Sequence, residues 1–168
     1  MHTIITPLDG SALAEEALPV ASELGAGLQA TLYLVRVVEP ARNSALAALG
    51  SEASLLLGES LAEVEEQREN EARVYLEAIA HDLRERGLRV TWEVRVGRPA
   101  DEVARLAETT GANLIVMATH GRSGVRRLAF GSVTNDLLQR GIIPVLAIPP
   151  RARAAQPSAA LAVAAALA

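Results

Sequence analysis

The chain has 168 residues, 50% of them apolar but only 2% aromatic, with a formal net charge of −4. That length suits one domain with a real core, and the core must be built from Leu, Val, Ile and Ala. There is no cysteine and all 16 basic residues are arginine, which excludes disulfides, thiol nucleophiles, a catalytic amine, a Schiff base and the lysine of a Walker-type phosphate loop.

In chain order, "HTIITPL" (His2 to Leu8) is a short apolar run halted by Asp9-Gly10-Ser11. This reads as a strand, a turn and a serine able to cap a helix. In that helix Leu13, Ala17, Val20 and Leu24 form one apolar stripe, Pro19 is expected to bend it, and Gly25 stands where a stop is expected. "ATLYLVRVV" (Ala30 to Val38) reads as a strand covered on both faces, ending at Glu39-Pro40. Residues Ala41 to Gly58 lack sharp caps and read as a variable insertion. From Glu59 to Arg86 a charged stretch carrying Leu61, Val64, Ala72, Tyr75, Leu76, Ile79 and Leu83 predicts a long amphipathic helix ending before Gly87. "LRVTWEVRVG" (Leu88 to Gly97) alternates like an edge strand, and Pro99 with Asp101 and Glu102 opens a helix through Ala107. "ANLIVMA" (Ala112 to Ala118) reads as a buried strand, Ser132 to Arg140 as a helix stopped by Gly141, and "PVLAI" (Pro144 to Ile148) as a last strand between prolines.

Strands alternating with helices imply parallel pairing with right-handed crossovers, hence an α/β, doubly wound open sheet. Ligands of such sheets bind beyond the C-terminal strand ends, where the strand order reverses. The domain is expected over residues 1–150, with 151–168 an Ala-rich tail. The N-terminus lacks a charged leader and a long apolar run, and no stretch approaches the ~20 apolar residues of a membrane span. A soluble, cytoplasmic protein is expected. The acidic balance argues against a general affinity for nucleic acid, so any bound anion must be met by local charge.

The segment "MATHGRSGVRRLAFGSV" (Met117 to Val133) is the exception to that balance, with three glycines, three arginines and no acid. A glycine-rich turn between a buried strand and a helix exposes backbone N–H groups, and the helix adds unpaired donors and the positive end of its dipole. Phosphate fits there without lysine: Gly121 and Gly131 let main chain approach, the Ser132 hydroxyl donates, and Arg122, Arg126 and Arg127 supply charge. The plainer reading keeps the glycines as turns, Ser132 as a cap and the arginines as a solvated face.

"PLDGS" (Pro7 to Ser11), "LVRVVEP" (Leu34 to Pro40), "GRPADEV" (Gly97 to Val103), "ANLIVMATHGRSG" (Ala112 to Gly124) and "FGSVTNDLLQRGIIPVLAIP" (Phe130 to Pro149) together resemble the ATP-binding subgroup of the universal stress protein family. The likeness runs from Ile4 to Pro149. In the family's nucleotide-binding members a glycine, two residues, a second glycine, nine residues and Gly-Ser or Gly-Thr precede the last helix. Ala118, Gly121, Gly131 and Ser132 occupy those places, so alanine replaces the first glycine and its methyl group narrows the approach of a phosphate.

The resemblance implies a Rossmann-like five-stranded sheet in order 3-2-1-4-5 and an adenine nucleotide, usually ATP, across its switch point. Asp9 then meets adenine or ribose, although the same residue also reads as part of a helix-capping turn. Pro7 and Val37 line the adenine pocket, where the residues alone would place them in the core. Met117 and Val133 flank the phosphate loop, and the phosphates carry Mg²⁺ or Mn²⁺, since no protein carboxylates here have ligand spacing. A homodimer through Pro144 to Ile148 is also implied.

Hydrolysis calls for a lysine, a metal-holding acid and a water-orienting side chain, and none is spelled out. His120 is the only histidine near the loop, while His2 and His81 are peripheral. The expected function is therefore an ATP-binding stress-response sensor or regulator with at most slow hydrolysis. The alternatives are a nucleotide-free interaction module working through its dimer surface, and an AMP or cyclic AMP binder.

Overall fold

The computed structural model describes residues 2–40, 61–119 and 131–150. The Ala41 to Gly58 insertion and the 151–168 tail lie outside the described residues. The elements are β1 (Thr3–Pro7), α1 (Ala12–Glu15), α2 (Leu18–Gly27), β2 (Thr31–Val38), α3 (Leu61–Glu85), β3 (Arg89–Val96), α4 (Pro99–Thr110), β4 (Leu114–Ala118), α5 (Ser132–Arg140) and β5 (Val145–Ile148). All five strands are parallel, in the order β3-β2-β1-β4-β5. The sheet grows outward from β1 in both directions, and the order reverses between β1 and β4, as expected.

The strand sequences carry two interleaved apolar sets because side chains alternate across the sheet. Ile4, Leu32, Leu34 and Val116 belong to one core, shared with Ala17 and Ala21 near α1 and α2 and with Leu76, Ala80 and Leu83 of α3. Ile5, Val35, Ile115 and Met117 belong to the other, shared with Val103, Leu106 and Ala107 of α4 and Leu137 of α5. The helices thus cover both faces, and the central strands have no solvent side. Buried within β1, the Thr6 hydroxyl has no hydrogen-bond partner among the described residues. β3 lies at the sheet edge with an alternating burial pattern, as its sequence implies.

Three local features differ from the sequence reading. The first helix is divided rather than bent: α1 ends at Glu15, Glu16 and Ala17 turn back onto it, and α2 restarts with Pro19 in its first turn, the place where a missing N–H costs nothing. Gly25 is not the stop. It is buried inside α2, and a Cβ there would lie 2.9 Å from Leu32 Cδ2, so it is glycine because strand β2 comes that close. α4 continues past Ala107 to Thr110, where the Thr109 and Thr110 hydroxyls donate to its own Arg105 and Leu106 carbonyls, and Gly111 in the left-handed region (φ 59°) closes it. Of the apolar stripe assigned to α3, Ala72, Leu76 and Leu83 are buried, whereas Leu61 is 40% exposed. Among the described residues no helix is long and apolar enough to cross a membrane.

Candidate functional site

At the C-terminal ends of β1, β2 and β4 the chain leaves a cleft of about 250 Å³, near the lower end of the ~300–1,000 Å³ typical of ligand pockets. Its site follows from the topology: it lies at the C-terminal strand ends beside the reversal of strand order between β1 and β4. Pro7, Val37 and Met117 continue the cleft side of their strands, and Val35, Pro99 and Val103 extend this aliphatic lining. Asp9 and Ser11 come from the β1–α1 turn, Ala118 from the end of β4, and Gly131, Ser132, Val133 and Thr134 from the start of α5. The structure therefore brings together Pro7, Asp9, Val37, Met117, Ala118, Gly131, Ser132 and Val133. Gly121 and Arg122, with His120, Arg126 and Arg127, lie outside the described residues. His2 and His81 are exposed and do not line the cleft.

The polar rim has two different walls. On the β1 side, Ser11 N–H donates to Asp9 Oδ1 at 2.9 Å, and Ala14 N–H donates to Ser11 Oγ at 3.1 Å. The capping role read for this turn is present, and Asp9 also faces the cleft; a carboxylate oxygen has capacity for more than one donor, so capping and ligand contact are compatible. Ser11 is in extended conformation, as an N-cap must be. On the other side, the first turn of α5 carries neither a side-chain cap nor an acidic residue. The Gly131 carbonyl accepts from Asn135 N–H at 2.9 Å, which starts the helix ladder. Among the described residues no side chain caps the Ser132 to Thr134 turn, which lines the cleft at the positive end of the helix dipole.

Thr134 is a cleft residue that the sequence did not single out. It is 2% exposed, and its hydroxyl donates to the Met117 sulfur at 3.6 Å, a weak acceptor that ties α5 to β4. The base of α5 is held from outside by an ionic cluster. Arg140 meets both Asp101 and Asp136, and Arg98 stands near the same two carboxylates. Hydrogen bonding from Arg140 lowers the Asp136 pKa, and Asp136 with Asp101 raises that of Arg140. This cluster fixes α4 against α5, and with them the Pro99 and Gly131 walls.

The comparisons with known proteins agree with this architecture. The model of the universal stress protein family matches residues 1–149. The chain belongs to the universal stress protein family. Universal stress protein MJ0531 of Methanocaldococcus jannaschii is 31% identical over 145 residues, covering 86% of this chain and 80% of its own length. The solved structure of the hypothetical protein MJ0577 superposes with a TM-score of 0.70 at 24% identity, covering 90% of this chain and 97% of that one. A universal stress protein from Archaeoglobus fulgidus, solved in complex with dAMP, gives a TM-score of 0.59 at 20% identity, covering 88% and 97%. Those two structures share the five-stranded parallel fold with this universal stress protein.

Proposed function

We propose that this universal stress protein binds an adenine nucleotide, ATP with Mg²⁺ or Mn²⁺ held on its phosphates, and acts as a nucleotide-dependent sensor or regulator. The observation that carries the reading is the start of α5: no side-chain cap among the described residues, no acid in the first turn, and a place in the lining of an aliphatic cleft at the switch point. The aliphatic floor accepts the faces of a purine, the Asp9 carboxylate accepts from its amine or from ribose hydroxyls, and the helix start attracts phosphate. In this reading the divalent ion rides on the phosphate oxygens; among the described residues no group of three or more His, Asp or Glu is placed to hold a metal. The dAMP seen with the A. fulgidus relative favours a monophosphate as the second reading.

Protein freed of bound nucleotide is expected to melt on the order of 5–10 °C higher at ATP–Mg²⁺ concentrations of ~100 Kd, by mass action. Absence of any shift at millimolar ATP removes the assignment. Competition by AMP and cyclic AMP against labelled ATP separates the two readings.

We also propose a homodimer through Pro144 to Ile148. Among the described residues β5 pairs only with β4, which leaves its other edge without a partner strand there, and Leu146 and nearby Ile142 are 37% and 48% exposed. Short edge strands bounded by prolines restrict pairing to a defined register. Leu146→Arg is expected to halve the mass measured by light scattering while leaving the melting temperature of the fold nearly unchanged. A mass equal to that of the unmodified protein contradicts the interface.

A further inference from the structure

Behind the cleft, on the opposite face of β2 from Val35 and Val37, the Arg36 cation meets both the β1–α1 turn and α3. A Cβ placed on Gly10 would stand 3.1 Å from Arg36 Cζ, 3.1 Å from Nη1 and 3.2 Å from Nη2. Such near-equal distances mean that the flat of the guanidinium lies across the glycine. Gly10 has φ +88°, so an L side chain is disfavoured there by conformation as well as by space. The Arg36 Cζ also lies over the Tyr75 ring, 5.1 Å from its centroid and within cation–π range. The Tyr75 hydroxyl donates to Glu15 Oε1 at 3.0 Å, which closes the assembly onto the end of α1. Burial first, and then the Glu15 carboxylate, raise the Tyr75 pKa, so the phenol keeps the proton it donates.

We infer that Arg36 is a positioning residue for the cleft: in contact with both Gly10 and Tyr75, it holds the Asp9-Gly10-Ser11 turn in the shape that presents Asp9 and Ser11 to a ligand. This rests on the nucleotide reading of the cleft. Arg36 itself does not line the cleft. It acts through the turn, whose internal bonds from Ser11 N–H and Ala14 N–H are short-range and fix only local shape. What they do not fix is the attitude of the turn relative to the sheet, and the Arg36 plane and the Tyr75 ring supply that backing. The same residue joins one rim of the cleft to α3.

The test uses the full chain, with adenosine and ATP–Mg²⁺ as probes. Arg36→Met is expected to weaken both by about tenfold, the size of one cation–π contact. Equal loss for adenosine, which has no phosphate, separates positioning from simple removal of positive charge; a loss confined to ATP overturns the inference. Tyr75→Leu is expected to match Arg36→Met, and the double variant to be no worse than either single one, because both remove the same contact. Arg36→Lys, which keeps the charge without the plane, is expected to recover only part of the affinity. Amide hydrogen exchange provides an arm without ligand: Ser11 N–H is expected to exchange faster in Arg36→Met while Ile5 N–H in β1 keeps its rate. Unchanged Ser11 exchange overturns the inference. If the unmodified protein binds neither probe, the nucleotide reading falls, and the exchange result alone decides whether Arg36 holds the turn.

Discussion

Gly131→Asp is expected to abolish ATP binding without harming the fold. The two effects come from one atom group. Gly131 is the N-cap of α5 with φ −54° and ψ 159°, a conformation open to any L residue. Aspartate is among the best N-cap residues, so its carboxylate would accept from the first-turn amides and meet the helix dipole favourably. The nucleotide-free protein is therefore expected to keep its stability or gain up to about 1 kcal/mol. The phosphate then loses its donors and faces a negative charge. At ~4 Å, with the effective dielectric of a site near the surface, a unit pair repels by about 4 kcal/mol, or roughly a thousandfold in affinity. Differential scanning fluorimetry with and without ATP–Mg²⁺ reads both effects at once. A variant that retains the ATP shift shows that phosphate does not sit at this helix start. A variant that melts far lower even without ligand shows that Gly131 is needed for packing, which would recast the motif as structural.

That opposition of effects distinguishes a binding glycine from a turn glycine, and the sequence alone does not. Gly25, Gly111 and Gly131 look similar as letters near helix ends. Gly111 is a true left-handed closure, Gly131 begins a helix in ordinary backbone, and Gly25 lies within the last turn of α2 against a strand. The fold was legible because its signals are periodic and redundant: alternating apolar sets in the strands, a 3.6-residue stripe in the helices and caps between them. The turns at the strand ends were legible as the place of the site from the doubly wound order, whereas Pro7, Asp9 and Val37 were reached through the family resemblance, since the residues alone read Pro7 and Val37 as core and Asp9 as part of a capping turn. Pro99 and Val103 were not singled out, although α4 starts at the same end of the sheet and its proline marked that start. Arg36 left a fainter trace as the one charge inside "TLYLVRVV". Its role depends on Tyr75, which lies far along the chain, and no local pattern expresses a contact of that kind.

The Gly25–Leu32 contact gives the second large effect, and its sign depends on the partner. Leu32 is fully buried in the core beneath α1, α2 and α3. Leu32→Ala is expected to cost about 3 kcal/mol, as methyl groups leave a core that cannot fully close. That is a large share of the ~5–15 kcal/mol that holds such a domain. Gly25→Ala alone gains roughly 1 kcal/mol of helix propensity, but its Cβ would lie 2.9 Å from Leu32 Cδ2 and 3.2 Å from Cγ. With Leu32 held on all sides, overpacking of about 1–3 kcal/mol outweighs that gain, and the single variant is expected to be destabilised. In the Leu32→Ala background the obstructing methyl group is gone. There Gly25→Ala is expected to stabilise, by propensity and by filling part of the void, and the double variant melts higher than Leu32→Ala alone. Urea unfolding of the four proteins measures the reversal as a coupling energy. If Gly25→Ala carries the same sign in both backgrounds, the two residues do not touch as described, and Gly25 has no packing reason to be glycine.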